Sequence, residues 1–415
     1  MSEDLVADLR REVENCINCG FCESVCPTYA ASGYTMSKGA RGRVDLGKSL
    51  LMDLVENGKT TMDLSDSFYS CLDCFACVQV CPAGVNAGKV SHISREIIVT
   101  QKYTKKDYRK DTANMIVSTT RRYHDPLGLN RKISGWAAGL NFSESSTSLL
   151  YTGNMYQIMP YSKKLSEMSM RMGSRATSIL GKAISRNPSL IKAAGIFYSK
   201  EMAMKMNSYL RYIADLLQEA GVEFRYMGDH EPYPGTFLYD LGYEEDFREY
   251  ANEVAGMFRE MGIKEIITVD PHTYDLLKNQ YPVYVKNFDF RVTHYLDYMK
   301  KLKFRKVQEQ VTMHEACHFS LREDPYNVPV DLVRSFSNLV LPSRSGKRTM
   351  CCGGPNEMIY PGLSQKISGE RIRNLKATGS DRIITACPIC YANLSSEKSV
   401  VDISQFLHEN IVKQV

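Results

Sequence analysis

The stretch Cys71-Leu-Asp-Cys74-Phe-Ala-Cys77-Val-Gln-Val-Cys81-Pro82 has the spacing C-x-x-C-x-x-C-x-x-x-C-P, and the same spacing occurs once before, at Cys16, Cys19, Cys22, Cys26 and Pro27. No other feature restricts so strongly what the chain can fold into. Three thiolates two residues apart can wrap one face of a cubane cluster, and the fourth, followed by proline, turns away from it. A lone C-x-x-C is shared with zinc ribbons and redox dithiols. Two complete sets point instead to two 4Fe–4S clusters.

In two-cluster ferredoxins the fourth cysteine ligates the other cluster. That resemblance implies Cys16, Cys19, Cys22 and Cys81 on one cluster and Cys71, Cys74, Cys77 and Cys26 on the second. The sets are 44 residues apart. The sequence from Gly39 to Gly58 carries Val44, Leu46, Leu50, Leu51, Leu54 and Val55 at roughly helical spacing, with Gly58 placed to end the helix. Such a helical filling resembles the ferredoxin domain of fumarate reductase iron–sulfur subunits and of heterodisulfide reductase. Arg41-Gly-Arg-Val adds a likeness to glycolate oxidase iron–sulfur subunits.

The 415 residues suffice for two to three domains, and 43% hydrophobic with 24% charged residues reads as soluble and globular. There is no run of 18 apolar residues to cross a membrane, and Met1-Ser-Glu-Asp-Leu lacks the basic and apolar regions of a signal peptide. The 13 cysteines have metal-like spacing, and thiolates kept for iron imply a reducing compartment. A cytoplasmic protein is expected. Residues 101–206 hold 18 Lys or Arg against 6 Asp or Glu, a block able to face an anionic membrane or an acidic partner. No nucleic-acid-binding motif accompanies it.

The expected domains are 1–100, helical with both cluster motifs; 101–145, a basic connector holding the single tryptophan, Trp136, as a packed anchor; 146–305; and 306–415. At Ser148-Leu-Leu-Tyr-Thr-Gly-Asn154 an apolar strand ends at a glycine. An insertion at 155–206 reads as a basic amphipathic helix. Leu165, Met168, Met172, Ile179, Leu180, Ala183 and Ile184 share one face, while Lys163, Lys164, Arg171, Arg175, Lys182 and Arg186 fall mostly elsewhere. It either covers the core or docks on a membrane surface or partner. Beyond it, a helix over Ser208–Ala220, a strand over Val222–Tyr226, a helix over Asp246–Met261 and a strand from Glu265 predict a parallel α/β sheet.

Five more cysteines follow: Cys317, Cys351-Cys352-Gly353, and Cys387-Pro-Ile-Cys390, with 33 residues between Cys317 and Cys351 and 34 between Cys352 and Cys387. The pattern resembles the CCG domain of heterodisulfide reductase catalytic subunits, and the order of motifs resembles the form of that subunit in which ferredoxin and CCG domains are fused in one chain. The family implies a non-cubane 4Fe–4S cluster on these five thiolates; zinc on four of them is the minor alternative. His314-Glu-Ala-Cys317-His318 also matches the zinc-protease helix motif H-E-x-x-H, but Cys317 already fits the CCG spacing. His318, beside the cluster, could donate a proton or a hydrogen bond. The family usually has two CCG domains. Here Ile266-Ile-Thr-Val-Asp270-Pro-His-Thr273 parallels Ile383-Ile-Thr-Ala-Cys387-Pro-Ile-Cys390, Glu231-Pro-Tyr233-Pro234-Gly235 stands in place of the cysteine pair, and Asn154 (or, by spacing alone, Ser199) in place of the first ligand. Without thiolates the first half is expected to be scaffold.

The expected fold class is α+β multidomain: a helical two-cluster ferredoxin domain followed by two α/β CCG-type halves, the first degenerate. The resemblance implies an oxidoreductase subunit of a membrane-associated respiratory complex. Electrons pass between the two 4Fe–4S clusters and the CCG cluster, where Cys317, Cys351, Cys352, Cys387, Cys390 and His318 serve disulfide- or heterodisulfide-type reduction. The alternative is a relay subunit of a flavin-linked glycerol-3-phosphate or 2-hydroxy-acid dehydrogenase, or of a hydrogenase, delivering electrons to quinone. No G-x-G-x-x-G fingerprint occurs, so a flavin is expected on a partner. Expected partners are a b-type cytochrome, a flavin dehydrogenase or a hydrogenase, with peripheral contact at the inner face of the cell membrane and no nucleic acid.

Overall fold

Helices Glu3–Glu14, Ala40–Asn57 and Ala87–Thr100 pack on one another at the N-terminus. Leu5, Leu9 and Val13 on the first, Val44, Leu50, Leu51 and Leu54 on the second, and Val90, Ile93 and Ile97 on the third are all buried. Each such side chain contributes roughly 1.5–3 kcal/mol when removed from water. The helices meet at Gly47, where a Cβ would lie 2.8 Å from Val90 Cγ1 and 3.1 Å from Val13 Cγ1. Gly58 closes the second helix as expected, with φ +67° and its N–H on Leu54 O at 3.0 Å. The structure is a computed structural model. It describes residues 3–60, 63–101, 108–128, 133–186, 198–322 and 325–413, with the side chains of 3, 108–111, 169 and 172–186 outside the description.

Two parallel sheets follow. Strands β1 (Ser148–Tyr151), β2 (Glu265–Thr268) and β3 (Arg291–His294) form the first in the order β1-β2-β3. Strands β4 (Val307–His314), β5 (Ser337–Leu339), β6 (Arg382–Thr385) and β7 (Val400–Asp402) form the second in the order β5-β4-β6-β7. An isolated parallel bridge, Leu149↔Arg225, sits on β1 where β5 sits on β4. The residues that follow β1 and β2 (Asn154, Asp270) and those that follow β4 and β6 (Cys317, Cys387) therefore gather at the carboxyl ends of parallel strands, where open α/β sheets bind ligands.

Several expectations change. Val222–Tyr226 is not a strand: only Arg225 bridges to β1. The stretch 101–145 contains the helix Tyr108–Tyr123, whose Ala113, Met115, Ile116 and Val117 are buried, so it packs as well as connects. Trp136 is the packed anchor expected of it, its Nε1 donating to Tyr226 Oη at 3.1 Å. The amphipathic helix is Met155–Arg186, but its first turns belong to the core through Met155, Tyr156, Ile158 and Met159. The helix after it runs Lys200–Glu219 rather than from Ser208, with Met202 and Met206 buried, so the end of the expected insertion is also core. Leu165 packs against the core. The side chains of Met172, Arg175, Ile179, Leu180, Lys182, Ala183, Ile184 and Arg186 lie outside the described residues, as do residues 187–197.

Candidate metal centres

The two ferredoxin motifs adopt one backbone form. Asn18 (φ 58°) and Gly20 (φ 79°) in the first loop match Asp73 (φ 50°) and Phe75 (φ 61°) in the second. Cys26 (φ −73°, ψ 111°) and Cys81 (φ −80°, ψ 114°) match as well, each followed by proline. Positive-φ residues thus flank Cys19 and Cys74 alike, giving the two loops the same local turn. Phe75 is an unusual residue to hold at positive φ. The Arg322 guanidinium, 3.9 Å from its ring centroid, packs on it.

Cys26 lines one cavity together with Cys71, Cys74, Cys77 and Arg43, and not with Cys16, Cys19 or Cys22 of its own motif. Burial pushes the Cys77 thiol up to about 12, with Cys71 and Cys26 adding repulsion. On the other side, burial pushes Cys22 up to about 12, and Glu23, Cys16, Cys26 and Cys81 add to the shift. Cys19 is exposed. Four sulfurs around a buried space, with ionisation of Cys74 and Cys77 opposed by burial, are a donor set that a cationic centre would relieve; the residues fit a cluster.

At the second sheet, Cys317 starts the short helix after β4, and its Sγ lies 3.8 Å from Cys351 Sγ. Gly353 follows the cysteine pair at φ +87°, where a Cβ would press Ser364 O and Ile367 at 3.0 Å. Its N–H faces Cys351 Sγ at 3.5 Å, and the Gly354 N–H faces Cys352 Sγ at 3.3 Å. Cys387 caps the helix Pro388–Leu394, its sulfur accepting from Cys390 N at 3.5 Å. All five cysteines are buried and free. S–H donors from Cys351 and Cys390 hold the Cys352 thiol below its ordinary range. The Cys317 thiol is raised by its bond to Cys351 and by burial. The sulfurs thus form one hydrogen-bonded group, a soft donor set that fits an iron–sulfur centre.

The H-E-x-x-H reading fails on local structure. His314 ends a strand and His318 sits on the helix Cys317–Ser320, so the two do not share a helical face. His318, singled out from the sequence, is engaged elsewhere: its Nδ1 lies 2.8 Å from Asp275 Oδ2, which also takes Arg322 Nε at 2.8 Å. Burial opposes ionisation of Asp275, but Arg322 and His318 hold it well below the usual carboxylate range. Beyond the H-E-x-x-H match, the sequence assigns no role to His314. A ring nitrogen of His314 and the sulfurs of Cys352 and Cys390 lie within 4.8 Å of one another. The available signal was its position three residues before Cys317, at the end of a strand pointing into the CCG loops.

In the first half, Asp270 accepts from His272 N at 2.9 Å and Thr273 N at 3.0 Å, capping its helix as Cys387 caps its own. Glu231 accepts from Thr152 N at 3.1 Å and from Thr152 Oγ1, and its carbonyl takes Asn154 Nδ2 at 3.0 Å. Asn154, Glu231, Asp270 and Thr273 are all buried, and the position of a Gly153 Cβ lies 2.8 Å from Thr273 Oγ1. Ser199 instead caps the helix Lys200–Glu219.

The halves and the ferredoxin module are bonded together around these sites. Asn356 Nδ2 donates to Ser70 O at 2.7 Å, Gln79 Nε2 to Leu321 O at 3.2 Å, and Arg344 Nη2 to Val25 O at 3.2 Å. Cys74 shares one buried core with Cys317 and Cys351. Burial raises its thiol, and Cys317 is the next cause.

A 4Fe-4S dicluster domain matches residues 12–85, and the cysteine-rich domain called CCG matches residues 311–395. Together with the buried sulfur sets they define the class: a chain that joins a 4Fe-4S dicluster domain to a cysteine-rich CCG domain. The probable iron-sulfur-binding oxidoreductase FadF of Bacillus subtilis is 25% identical over 88% of this chain and 47% of its own length. The EtfAB:quinone oxidoreductase of Syntrophomonas wolfei is 21% identical over 91% of this chain and 54% of its own. A dihydromethanophenazine:CoB–CoM heterodisulfide reductase polypeptide of Methanosarcina barkeri is 22% identical over 100% of this chain and 96% of its own. The chain thus spans about half the length of the first two. In both domains and in these relatives the chain is similar to CCG-domain iron–sulfur oxidoreductases.

Proposed function

We propose that the chain passes electrons between two 4Fe–4S clusters and a non-cubane cluster on the CCG cysteines, in a membrane-associated respiratory complex, for disulfide-type reduction. The observation that carries this reading is the proximity of Cys74 to Cys317 inside one core, which brings the second ferredoxin set against the CCG set. When bound, the clusters supply one-electron carriage and, at the CCG set, the site of reduction. The chain's own residues do the rest. Cys16, Cys19, Cys22 and Cys81 hold one 4Fe–4S cluster at the more exposed end; Cys71, Cys74, Cys77 and Cys26 hold the other. Cys317, Cys351, Cys352, Cys387 and Cys390 hold the third. Apolar packing excludes water between the last two sets, and Arg43 and Arg322 supply positive charge beside them. His318, tied to Asp275, serves as the proton-bearing group at the edge of the CCG site. The first half, lacking thiolates, is a CCG domain turned scaffold.

A cavity beside both sets is lined by Cys71, Gly354 and Ile389 together with Asp73, Asp240 and Glu357. A disulfide substrate would enter there. The second reading is a relay to quinone for a flavin dehydrogenase or a hydrogenase partner. It is favoured by the burial of all five CCG cysteines, which suits electron passage better than contact with a substrate. No helix among the described residues is long and apolar enough to cross a membrane. Membrane contact in either reading is peripheral, at the inner face, through a cytochrome partner or the basic helix.

The test is iron analysis followed by single-turnover oxidation. About 12 irons per chain are expected, four per cluster; about eight irons with one zinc would make the CCG set a zinc site. Mixing the reduced chain with small disulfides should reoxidise the CCG signal before the others. Reoxidation only by a quinone analogue with a native partner complex would favour the relay.

A further inference from the structure

His314 ends β4 and is only 1% exposed. Register pairs it with Thr385, two residues before Cys387. Its two ring nitrogens are differently placed. Nδ1 receives Arg371 Nε–H at 2.9 Å, whereas Nε2 is enclosed without a partner among the described residues. Arg371 is itself buried, and its Nη1 is held by Arg344 O and Asn374 Oδ1, each at 2.7 Å. A guanidinium offers donors only. Nδ1 must therefore accept, and a neutral imidazole in this setting carries its proton on Nε2.

With Cys352 and Cys390, His314 has the look of a three-ligand metal site. The Arg371 bond argues against ligation. A metal-binding histidine donates its other N–H to an acceptor, but here the other nitrogen already faces a donor. Metal on Nε2 would demand an imidazolate with no proton on either nitrogen. What Nε2–H lacks is an acceptor; the sulfurs of Cys352 and Cys390 lie within 4.8 Å of a ring nitrogen of His314, and a sulfur centre held on them would supply one.

We infer that His314, its tautomer fixed by Arg371, donates Nε2–H to the sulfur centre on Cys352 and Cys390 and raises that centre's reduction potential. The inference rests on the reading that the CCG cysteines hold an iron–sulfur cluster. A hydrogen bond to cluster sulfur stabilises the more negative, reduced state. Arg371 is the positioning residue, and it adds a buried positive charge beside Cys390 and Cys352.

The experiment is a redox titration of the reconstituted full chain. In His314→Phe, the equilibrium for one-electron reduction of the CCG centre should fall on the order of tenfold, ~59 mV, with both dicluster potentials unchanged. His314→Gln keeps an acceptor for Arg371 and an N–H for sulfur, so its potential should stay near wild type. An unchanged potential in His314→Phe overturns the inference. If His314→Phe does not assemble, pulsed magnetic resonance on wild type labelled with nitrogen-15 histidine decides the matter. A weak coupling of an uncoordinated nitrogen, lost in His314→Gln, is expected. Coupling of ligand strength, or none, overturns the inference alone. Zinc in place of a third iron signal overturns the underlying reading and the inference with it.

Discussion

Arg43 Nη1 lies 3.8 Å from Cys26 Sγ, in the wall of the cavity that Cys26 shares with Cys71, Cys74 and Cys77. The guanidinium is fully enclosed, with Nε on Ser67 O at 2.9 Å and Nη2 on Thr28 Oγ1 at 3.0 Å and Ser70 Oγ at 2.9 Å. One cation thus ties both motif loops together and sets a positive charge against one sulfur set only.

Arg43→Met removes that charge and the bonds it makes. Hydrogen bonds to a charged group are each worth about 1.5–3 kcal/mol, so a loss of several kcal/mol in stability is expected. The cluster on the Cys26 side should also become harder to reduce, while the one near Cys19 keeps its potential. Redox titration with both signals resolved checks this. Equal shifts in both clusters would show a general loosening instead.

Crossed ligation predicts which cluster each fourth cysteine controls. Cys26→Ala should damage the cluster held by Cys71, Cys74 and Cys77, and Cys81→Ala the one held by Cys16, Cys19 and Cys22. Spectra of the two variants, read with iron content, separate the cases. The opposite pattern would assign each motif its own cluster.

Metal loss should divide the two halves of the α/β region. Cys352→Ser is expected to abolish the CCG signal while both 4Fe–4S clusters remain reducible. Asp270→Ala and Thr273→Ala should leave all iron in place. Asp270→Ala still loses its helix cap, a cost of about 1 kcal/mol, visible in the denaturation midpoint. Iron missing from either first-half variant would mean that this half binds metal after all.

Glu231 gives a pH dependence that needs no cluster. Burial pushes its carboxyl up to about 8, above the unfolded value of about 4.3. A raised folded pKa means that its stabilising contribution is complete below the unfolded value and is lost as pH rises towards 8. The slope inside that window is at most about 1.4 kcal/mol per pH unit. Relative to wild type, Glu231→Gln should therefore gain stability between about pH 5.5 and 7.5. Parallel denaturation curves at the two pH values would show that Glu231 is already ionised in the folded chain.

Much of the site was legible because its chemistry is local. Thiol spacing dictates loop geometry, so the C-x-x-C-x-x-C runs, the C-C-G motif and Cys387-Pro-Ile-Cys390 could each be read from a few adjacent residues. Gly58 and Trp136 were legible for the same reason: a helix stop and a buried indole leave short-range signatures. The strand expected at Val222–Tyr226 reduces to the Arg225 bridge because pairing depends on a distant partner strand. The helix Tyr108–Tyr123 reads as basic linker in sequence, yet a partner surface buries Met115 and Ile116.

By itself, then, the sequence determined three sets of sulfur donors, the helical spacer between the first two and the repeat of strand and turn in the α/β region. These follow from residues close in the chain, whose geometry is set by covalent spacing and backbone preference. Only the tertiary structure decided that Cys74 lies near Cys317, that Asp275 claims His318, and that Arg371 fixes His314. Those relations join residues far apart in sequence, and they exist only once packing has offset the entropy of bringing the elements together.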